Sequence, residues 1–382
     1  MSQADYSEAL GLLRQGAGGD LHHVLAAACG PLPAWDPVVY LADFANLILF
    51  PLAEGIGEEE VAATMPGRAF TTGKPVTSER DGSVRVWVPI AEQATRTGVL
   101  AITVPEASPE LLAQAELLGV FAGLVTAAAM RISDIPYRRR RGKVMSLAAG
   151  MQWDLLPPLS TRTSKALIAG ALEPAYDIAG DTFDYAVNDG ELQFAIFDAV
   201  GHGLDSTLLT SMAIGAYRHA RRQGASVPGI HTAIDQALAS RYDDLSFATG
   251  IIARLDTASG RMEWSCAGHP PPLLLRGRTV VAELSCDTVL PFGLGDQIPV
   301  LGRQQLQPED AVLFYTDGVT EARAPDGQLF GLDKLADLLE QEAASGQPAE
   351  ELLRRLVRAV LDHQAGGLRD DATLLLVQWT GP

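Results

Sequence analysis

The stretch Tyr176–Gly203, YDIAGDTFDYAVNDGELQFAIFDAVGHG, decides how the second half of this chain is read. It consists of two apolar runs of strand character joined by Asn188-Asp189-Gly190, a tight-turn signature of a β-hairpin. Asp181 lies in the first run and Asp198 ends the second. Two antiparallel strands bring such side chains near each other, with the register left open. Taken alone, an Asp beside Gly-His-Gly reads as a turn residue, because its carboxylate bonds nearby amides.

Two helical patterns follow, Ser206–Gln223 and Gly229–Tyr242, before strands return at FATGIIARLD, RMEWSCAG and PPLLLRG. A third acidic strand end occurs in VLFYTDG at Asp317, and a fourth in RDDATLLLVQW at Asp370 and Asp371. Four such strand ends in what reads as one sheet system change the interpretation. Converging carboxylates repel one another unless protons or cations intervene. Hard divalent ions such as Mg²⁺ or Mn²⁺ prefer oxygen ligands, which suits aspartates without cysteine and with little histidine.

The segments EPAYDIAGDTFDY, FAIFDAVGHG, FATGIIARLD, CAGHPPPLLL, LPFGLG, FYTDGVTEAR, LFGLDKL and RDDATLLLV, in this order from about Leu156 to Trp379, resemble the SpoIIE-like branch of the metal-dependent (PPM, type 2C) serine/threonine protein phosphatases. The resemblance implies an α-β-β-α sandwich holding two Mn²⁺ or Mg²⁺ ions at one end. By motif, Asp198 would bridge both ions and the Ala199 carbonyl would ligate one. Asp317 and Asp370 would hold the other, and Asp181 would bind directly or through water. Asp198 and Asp181 are therefore the catalytic candidates, and Asp371 is given no firm role. The substrate implied is a phosphorylated regulatory protein of the anti-anti-sigma class. A non-catalytic pseudophosphatase scaffold and a hydrolase of small phosphate esters are the alternatives.

The sequence departs from the family pattern in three ways. Ala179 stands where the branch commonly has Gly, Val200 stands where the animal enzymes carry a candidate acid His, and no counterpart of their phosphate-gripping Arg is found. His202 and His269 read as structural turn residues. Glycines 180, 201, 203, 268 and 318 read as turn or close-approach devices, and Cys266 as a core residue.

The first half has a different pattern. Short strands VVYLADF, NLILFPL, SVRVWVPI and TGVLAITV, with a helical reading for GEEEVAATM, are flanked by the helical patterns SEALGLLRQ, HHVLAAAC and SPELLAQAELLGVFAGLVTAAAMRI. A mixed sheet covered by helices is the economical arrangement, and the order, with the GRAFTTGKPV turn, resembles a GAF sensory domain. The expected class is therefore α+β: residues 1–132 a GAF-like α/β sensory domain, 133–158 a helical linker, and 159–382 the phosphatase-type sandwich. An unidentified small-molecule or protein signal would act on the first domain.

Composition sets bounds on partners and compartment. The chain has 382 residues, 47% apolar, with net charge −18. A like-signed surface repels nucleic acid and anionic lipid, so neither is an expected partner. The N-terminus lacks the basic start and apolar centre of a secretory signal. Cys29, Cys266 and Cys286 are too few and scattered for a disulfide framework, so a cytoplasmic setting is expected. The apolar run Leu117–Met130 is shorter than a bilayer requires and reads as a buried or dimer-forming helix, so a homodimer without membrane insertion is expected. The run Arg138–Arg141 reads as a solvated helix start or linker, and residues 340–351 as a helix junction.

Overall fold

The computed structural model describes every residue except 1–6, 15–20, 93, 174–175, 177–179, 241–245, 296–297 and 366–369. Ala179 and the expected helix end at Tyr242 lie outside the described residues, as does Gln15 of the first helical pattern. The chain divides into two units, Met1–Val144 and Met145–Pro382, so the boundary falls inside the segment read as a linker.

The first unit contains, in order, α1 (Ser7–Arg14), α2 (Leu21–Ala28), β1 (Trp35–Ala42), β2 (Ile48–Pro51), β3 (Glu59–Glu60), α3 (Met65–Thr72), β4 (Val76–Arg80), β5 (Ser83–Glu92), β6 (Thr95–Val104), α4 (Pro109–Met130) and α5 (Asp134–Arg139). The strands form one antiparallel sheet ordered β3-β2-β1-β6-β5-β4. Period-two alternation splits its side chains between two cores. Val39, Leu41, Val88 and Leu100 pack under α2 and α4, while Val38, Tyr40, Val99 and Ala101 pack under α3.

Three expectations for this unit are corrected. GEEEVAATM is not a helix: its Glu59–Glu60 pair is the edge strand β3, and α3 begins only at Met65. Local chemistry sets that start, because Thr64 caps the Gly67 amide at 3.1 Å, Pro66 sits in the first turn, and Gly73 closes the helix at φ 66°. The apolar helix α4 spans 22 residues and is long and apolar enough to cross a membrane, yet Leu111, Ala115, Leu118, Ala122 and Val125 are buried against the sheet. Within the basic run, Arg140 is 8% exposed, donates to the Ala42 carbonyl at 2.9 Å and stacks on Phe44, so it is not solvated.

The second unit contains α6 (Leu147–Leu155), β7 (Ser160–Arg162), β8 (Ala166–Glu173), β9 (Asp181–Asn188), β10 (Glu191–Ala199), α7 (Leu204–Arg222), α8 (Val227–Ala239), β11 (Ala248–Asp256), β12 (Arg261–Ala267), β13 (Leu273–Arg276), β14 (Thr279–Glu283), β15 (Gly302–Gln305), β16 (Ala311–Tyr315), α9 (Asp317–Thr320), α10 (Leu332–Ala344), α11 (Ala349–His363) and β17 (Ala372–Trp379). One antiparallel sheet runs β15-β12-β11-β10-β9 and the other β14-β13-β16-β17-β8-β7. The parity of each strand explains the layering. In β10, Phe194 and Ile196 face the opposite sheet with Phe183, Val312, Phe314, Leu375 and Val377, whereas Ala195, Phe197 and Ala199 lie under α7 and α8. On the other sheet, Leu313, Tyr315, Leu374 and Leu376 pack under α10 and α11. Helix, sheet, sheet and helix are thus stacked in four layers, and the central strands contribute to two cores.

Candidate functional site

The hairpin β9–β10 turns on Asp189-Gly190, with Gly190 at φ 79° and Asn188 paired to Glu191. Counting along that ladder sets Asp198 directly opposite Asp181. The parity that points Phe183, Phe194 and Ile196 between the sheets points both carboxylates the same way, at one end of the sandwich. On the facing sheet, the inward parity of Phe314 continues to Thr316, and that of Leu375 and Val377 runs back through Thr373 to Asp371. One end of the inter-sheet space is therefore lined by acids and hydroxyls where the rest is lined by apolar side chains.

The contacts follow this placement. Thr316 Oγ1 donates to Asp181 Oδ2 at 2.6 Å, and the Thr373 amide donates to Thr316 Oγ1 at 3.0 Å, so the two sheets are tied at the site. Asp371 Oδ2 accepts the backbone amides of Gly180 and Asp181, at 2.5 and 3.2 Å. The second oxygen of Asp371 is buried and has no hydrogen-bond partner among the described residues. Gln152 of α6 donates to the Asp181 carbonyl, which links that helix to the start of β9. The Ala199 amide donates to the Gly180 carbonyl at 3.3 Å, and the Ala199 carbonyl lies over Gly180, 3.4 Å from where a Cβ there would sit.

Two glycine requirements shape the site. Gly318 leads α9 past β17 so closely that a Cβ would fall 1.9 Å from the Asp371 carbonyl oxygen. This contact keeps Asp317 beside the Asp370–Asp371 pair. Gly201 and Gly203, at φ 85° and 82°, turn the chain from Asp198 into α7 through a region that side chains rarely adopt. His202, between them, is exposed.

The electrostatics are those of crowded anions. Asp181 is 2% exposed and Asp371 3%. Burial, then the charges of Asp198 and Asp371, hold the Asp181 carboxyl well above the usual carboxylate range. Asp198 is pushed up to about 8 by burial and by Asp317, Asp370 and Asp371. Burial and Asp370 raise Asp317, and Asp371 rises to about 6, chiefly through burial. Crowding against Asp317 favours uptake of a proton at Asp198. Among the described residues, no three acidic, histidine or thiol side chains are set closely enough to hold an ion as they stand. The donor set nonetheless fits a hard cation: it is all oxygen, its crowding favours positive charge, and among the described residues it leaves a buried Asp371 oxygen unpartnered.

All five aspartates named from sequence come to this end of the sandwich. Thr316, Thr373 and Gln152 were not anticipated. For the two threonines the available signal was their inward parity next to an acidic motif. His269 lies one strand away, buried, with Nδ1 2.9 Å from Thr249 Oγ1, and burial lowers it to about 3, so it is neutral. Thr249 is the β11 partner of Asp198.

Comparison with known proteins agrees with this architecture. Residues 188–380, half of the chain, match the family model for stage II sporulation protein E (SpoIIE). The curated protein Phosphoserine phosphatase RsbU of Bacillus subtilis is 25% identical over 237 residues, covering 61% of this chain and 69% of that protein. Other curated relatives are matched over less than half of their own length. Among solved structures, the RsbU and RsbW domains of a Mycobacterium tuberculosis protein align at 29% identity and TM-score 0.50, over 57% of this chain and 62% of that one. The SiaA-PP2C domain of Pseudomonas aeruginosa shares the fold at 24% identity and TM-score 0.52, over 60% and 94%. This chain belongs to the SpoIIE family, and its second unit has the fold of a PP2C domain.

Proposed function

We propose that the chain is a metal-dependent protein serine/threonine phosphatase acting on phosphoserine or phosphothreonine of a regulatory protein. The observation that supports this most is the opposition of Asp181 and Asp198 at one end of the sandwich, where Asp317, Asp370 and Asp371 add like charge. Asp198 would bridge two ions of the Mg²⁺ or Mn²⁺ type, with the Ala199 carbonyl on one, Asp317 and Asp370 on the other, and Asp181 direct or through water. Such ions, when bound, supply a nucleophilic water at neutral pH and neutralise phosphoryl oxygens. The chain's own residues prepare the site. Thr316 orients the Asp181 carboxylate, Asp371 holds the Gly180–Asp181 backbone, and Gly318 keeps the Asp317 turn against β17.

The protein substrate we infer is a phosphorylated anti-anti-sigma factor, as the resemblance to the SpoIIE-like branch implies, and the relative named phosphoserine phosphatase supports the phosphoserine chemistry. The first unit is inferred to be a GAF-like sensory module, residues 1–132, connected through 133–158 to a catalytic domain at 159–382. It would receive a small-molecule or protein signal in a cytoplasmic homodimer. The test compares turnover of a phosphoserine protein and of a small aryl phosphate with Mn²⁺, with and without chelator. Contacts remote from the reacting group lift turnover only for a true protein substrate. Faster relative turnover of the phosphoprotein, lost in chelator, is expected. Equal efficiency would favour a small-ester hydrolase, and no turnover of either would favour a scaffold.

A further inference from the structure

Cys266 and Cys286 are twenty residues apart in the chain, and each read alone is an inert thiol. The fold brings them together. Beyond β14 the chain returns alongside β12, where Val289 forms a parallel bridge with Ala267 and its amide donates to the Cys266 carbonyl at 3.1 Å. Thr288 of that returning segment bonds the Gly268 amide at 3.0 Å and reaches Cys266 Sγ at 3.5 Å. Both cysteines line one cavity of about 140 Å³, together with Trp264, His269 and Thr288. Both thiols are free and face this same cavity. Cys266 is 6% exposed, whereas Cys286 is half-buried and borders the cavity nearer to solvent.

We propose that Cys266 and Cys286 are a thiol modification site, a dithiol that hydrogen peroxide or a similar small peroxide converts reversibly to an intramolecular disulfide. The assignment of roles follows from the surroundings. The neighbouring Cys286 thiol, the larger influence, and the Thr288 hydroxyl, which donates to Cys266 Sγ at 3.5 Å, lower the Cys266 thiol to about 6 against the opposing effect of burial. Cys266 is thus the attacking thiolate and Cys286 the resolving thiol. In the first step the Cys266 sulfur forms a bond to one peroxide oxygen, the O–O bond breaks, and the departing hydroxide leaves as water with the thiol's proton. In the second, Cys286 sulfur attacks the Cys266 sulfenic sulfur, the S–S bond forms, and the S–O bond breaks to release a second water. Two thiols lose two electrons and one peroxide gains them.

The position gives the site a connection to the acidic cluster. Cys266 Sγ donates to the His269 carbonyl at 3.1 Å, and the His269 ring bonds Thr249, which pairs with Asp198. Cys29 serves as an internal control, because burial in the first unit raises its thiol to about 12.

The full chain, reduced and freed of reductant in the presence of chelator, would be exposed to hydrogen peroxide, alkylated with iodoacetamide and digested without reduction. A peptide pair joined through Cys266 and Cys286 is expected, reversed by dithiothreitol, with oxidation at least about 10-fold faster than at Cys29. Cys286→Ser should stop at a Cys266 sulfenic acid trapped by dimedone, and Cys266→Ser should leave Cys286 reduced at the same dose. Linkage between chains, or oxidation of Cys266 no faster than of Cys29, would overturn the proposal. So would an undiminished reaction of Cys286 in the Cys266→Ser variant.

Discussion

Replacing Asp198 with Asn should stabilise the metal-free protein and destabilise it, relative to wild type, once Mn²⁺ is added. The reasoning starts from the Asp198 carboxyl, which rises from 3.8 to about 8 through burial and three neighbouring aspartates. A carboxyl whose folded value lies above its unfolded value contributes stability that is present below pH 4 and is lost as the pH climbs toward 8. Each unit of difference corresponds to about 1.4 kcal/mol. Ionising Asp198 against fixed neighbours would thus cost on the order of 4 kcal/mol by pH 7. Protons shared with Asp317 and Asp181 relieve part of it, so Asn should recover about 2 kcal/mol in chelator at pH 8. For a unit of this size that is about 4–8 °C in Tm. Mn²⁺ at a hundred times its Kd would add about 2.7 kcal/mol to wild type and far less to a variant lacking the bridging carboxylate. Thermal melts followed by circular dichroism, at pH 4.5 and 8 with EDTA or Mn²⁺, provide the assay. The expected pattern is near-equal Tm at pH 4.5, a more stable variant at pH 8 in EDTA, and a reversed order in Mn²⁺. A variant no more stable than wild type in EDTA at pH 8, with an undiminished Mn²⁺ shift, would refute this reasoning.

Further substitutions probe the framework around the site. Gly318→Ala places a Cβ 1.9 Å from the Asp371 carbonyl and should cost about 3 kcal/mol, whereas Gly215→Ala, in open space on α7, should gain up to about 1 kcal/mol; urea titration separates the two. Gln152→Ala removes the donor to the Asp181 carbonyl and should raise the Mn²⁺ concentration needed for half-maximal binding by about 10-fold, read by calorimetry, with a modest Tm change. Asp184→Ala strips the buried carboxylate from Arg218 at 2.9 Å and Arg221 at 3.2 Å and should cost about 3 kcal/mol, visible as a lower urea midpoint.

Much of the site was readable because β-structure has period two. The pair Asn188 and Glu191, flanking a two-residue Asp-Gly loop, implies by counting that Asp198 meets Asp181. The turn signature marks the hairpin in the sequence, whereas its register is established by the Asn188–Glu191 pairing in the structure. Parity along β16 and β17 likewise carries Thr316, Thr373 and Asp371 inward. What sequence could not reveal are contacts between segments that no local period relates. The hydrogen bond from Gln152 on α6 to β9 is one, and the parallel bridge that seats Cys286 beside Cys266 is another. In the first unit, GEEEVAATM looked helical because glutamate and alanine are good helix formers. The capping chemistry of Thr64 and Pro66 instead starts the helix at Met65, the last residue of that stretch, and edge pairing with β2 takes the glutamates. Arg140 shows the same limit, since a basic run gives no sign that one guanidinium will lie on Phe44.

The most direct test of the central claim is phosphate release from a phosphoserine peptide by wild type and Asp198→Asn at saturating Mn²⁺. At least about a 1,000-fold loss in kcat for the variant is expected, corresponding to about 4 kcal/mol of transition-state stabilisation, with wild-type turnover abolished by chelator and restored by added Mn²⁺. Turnover by Asp198→Asn within about tenfold of wild type, or wild-type turnover that survives chelation, would contradict the account.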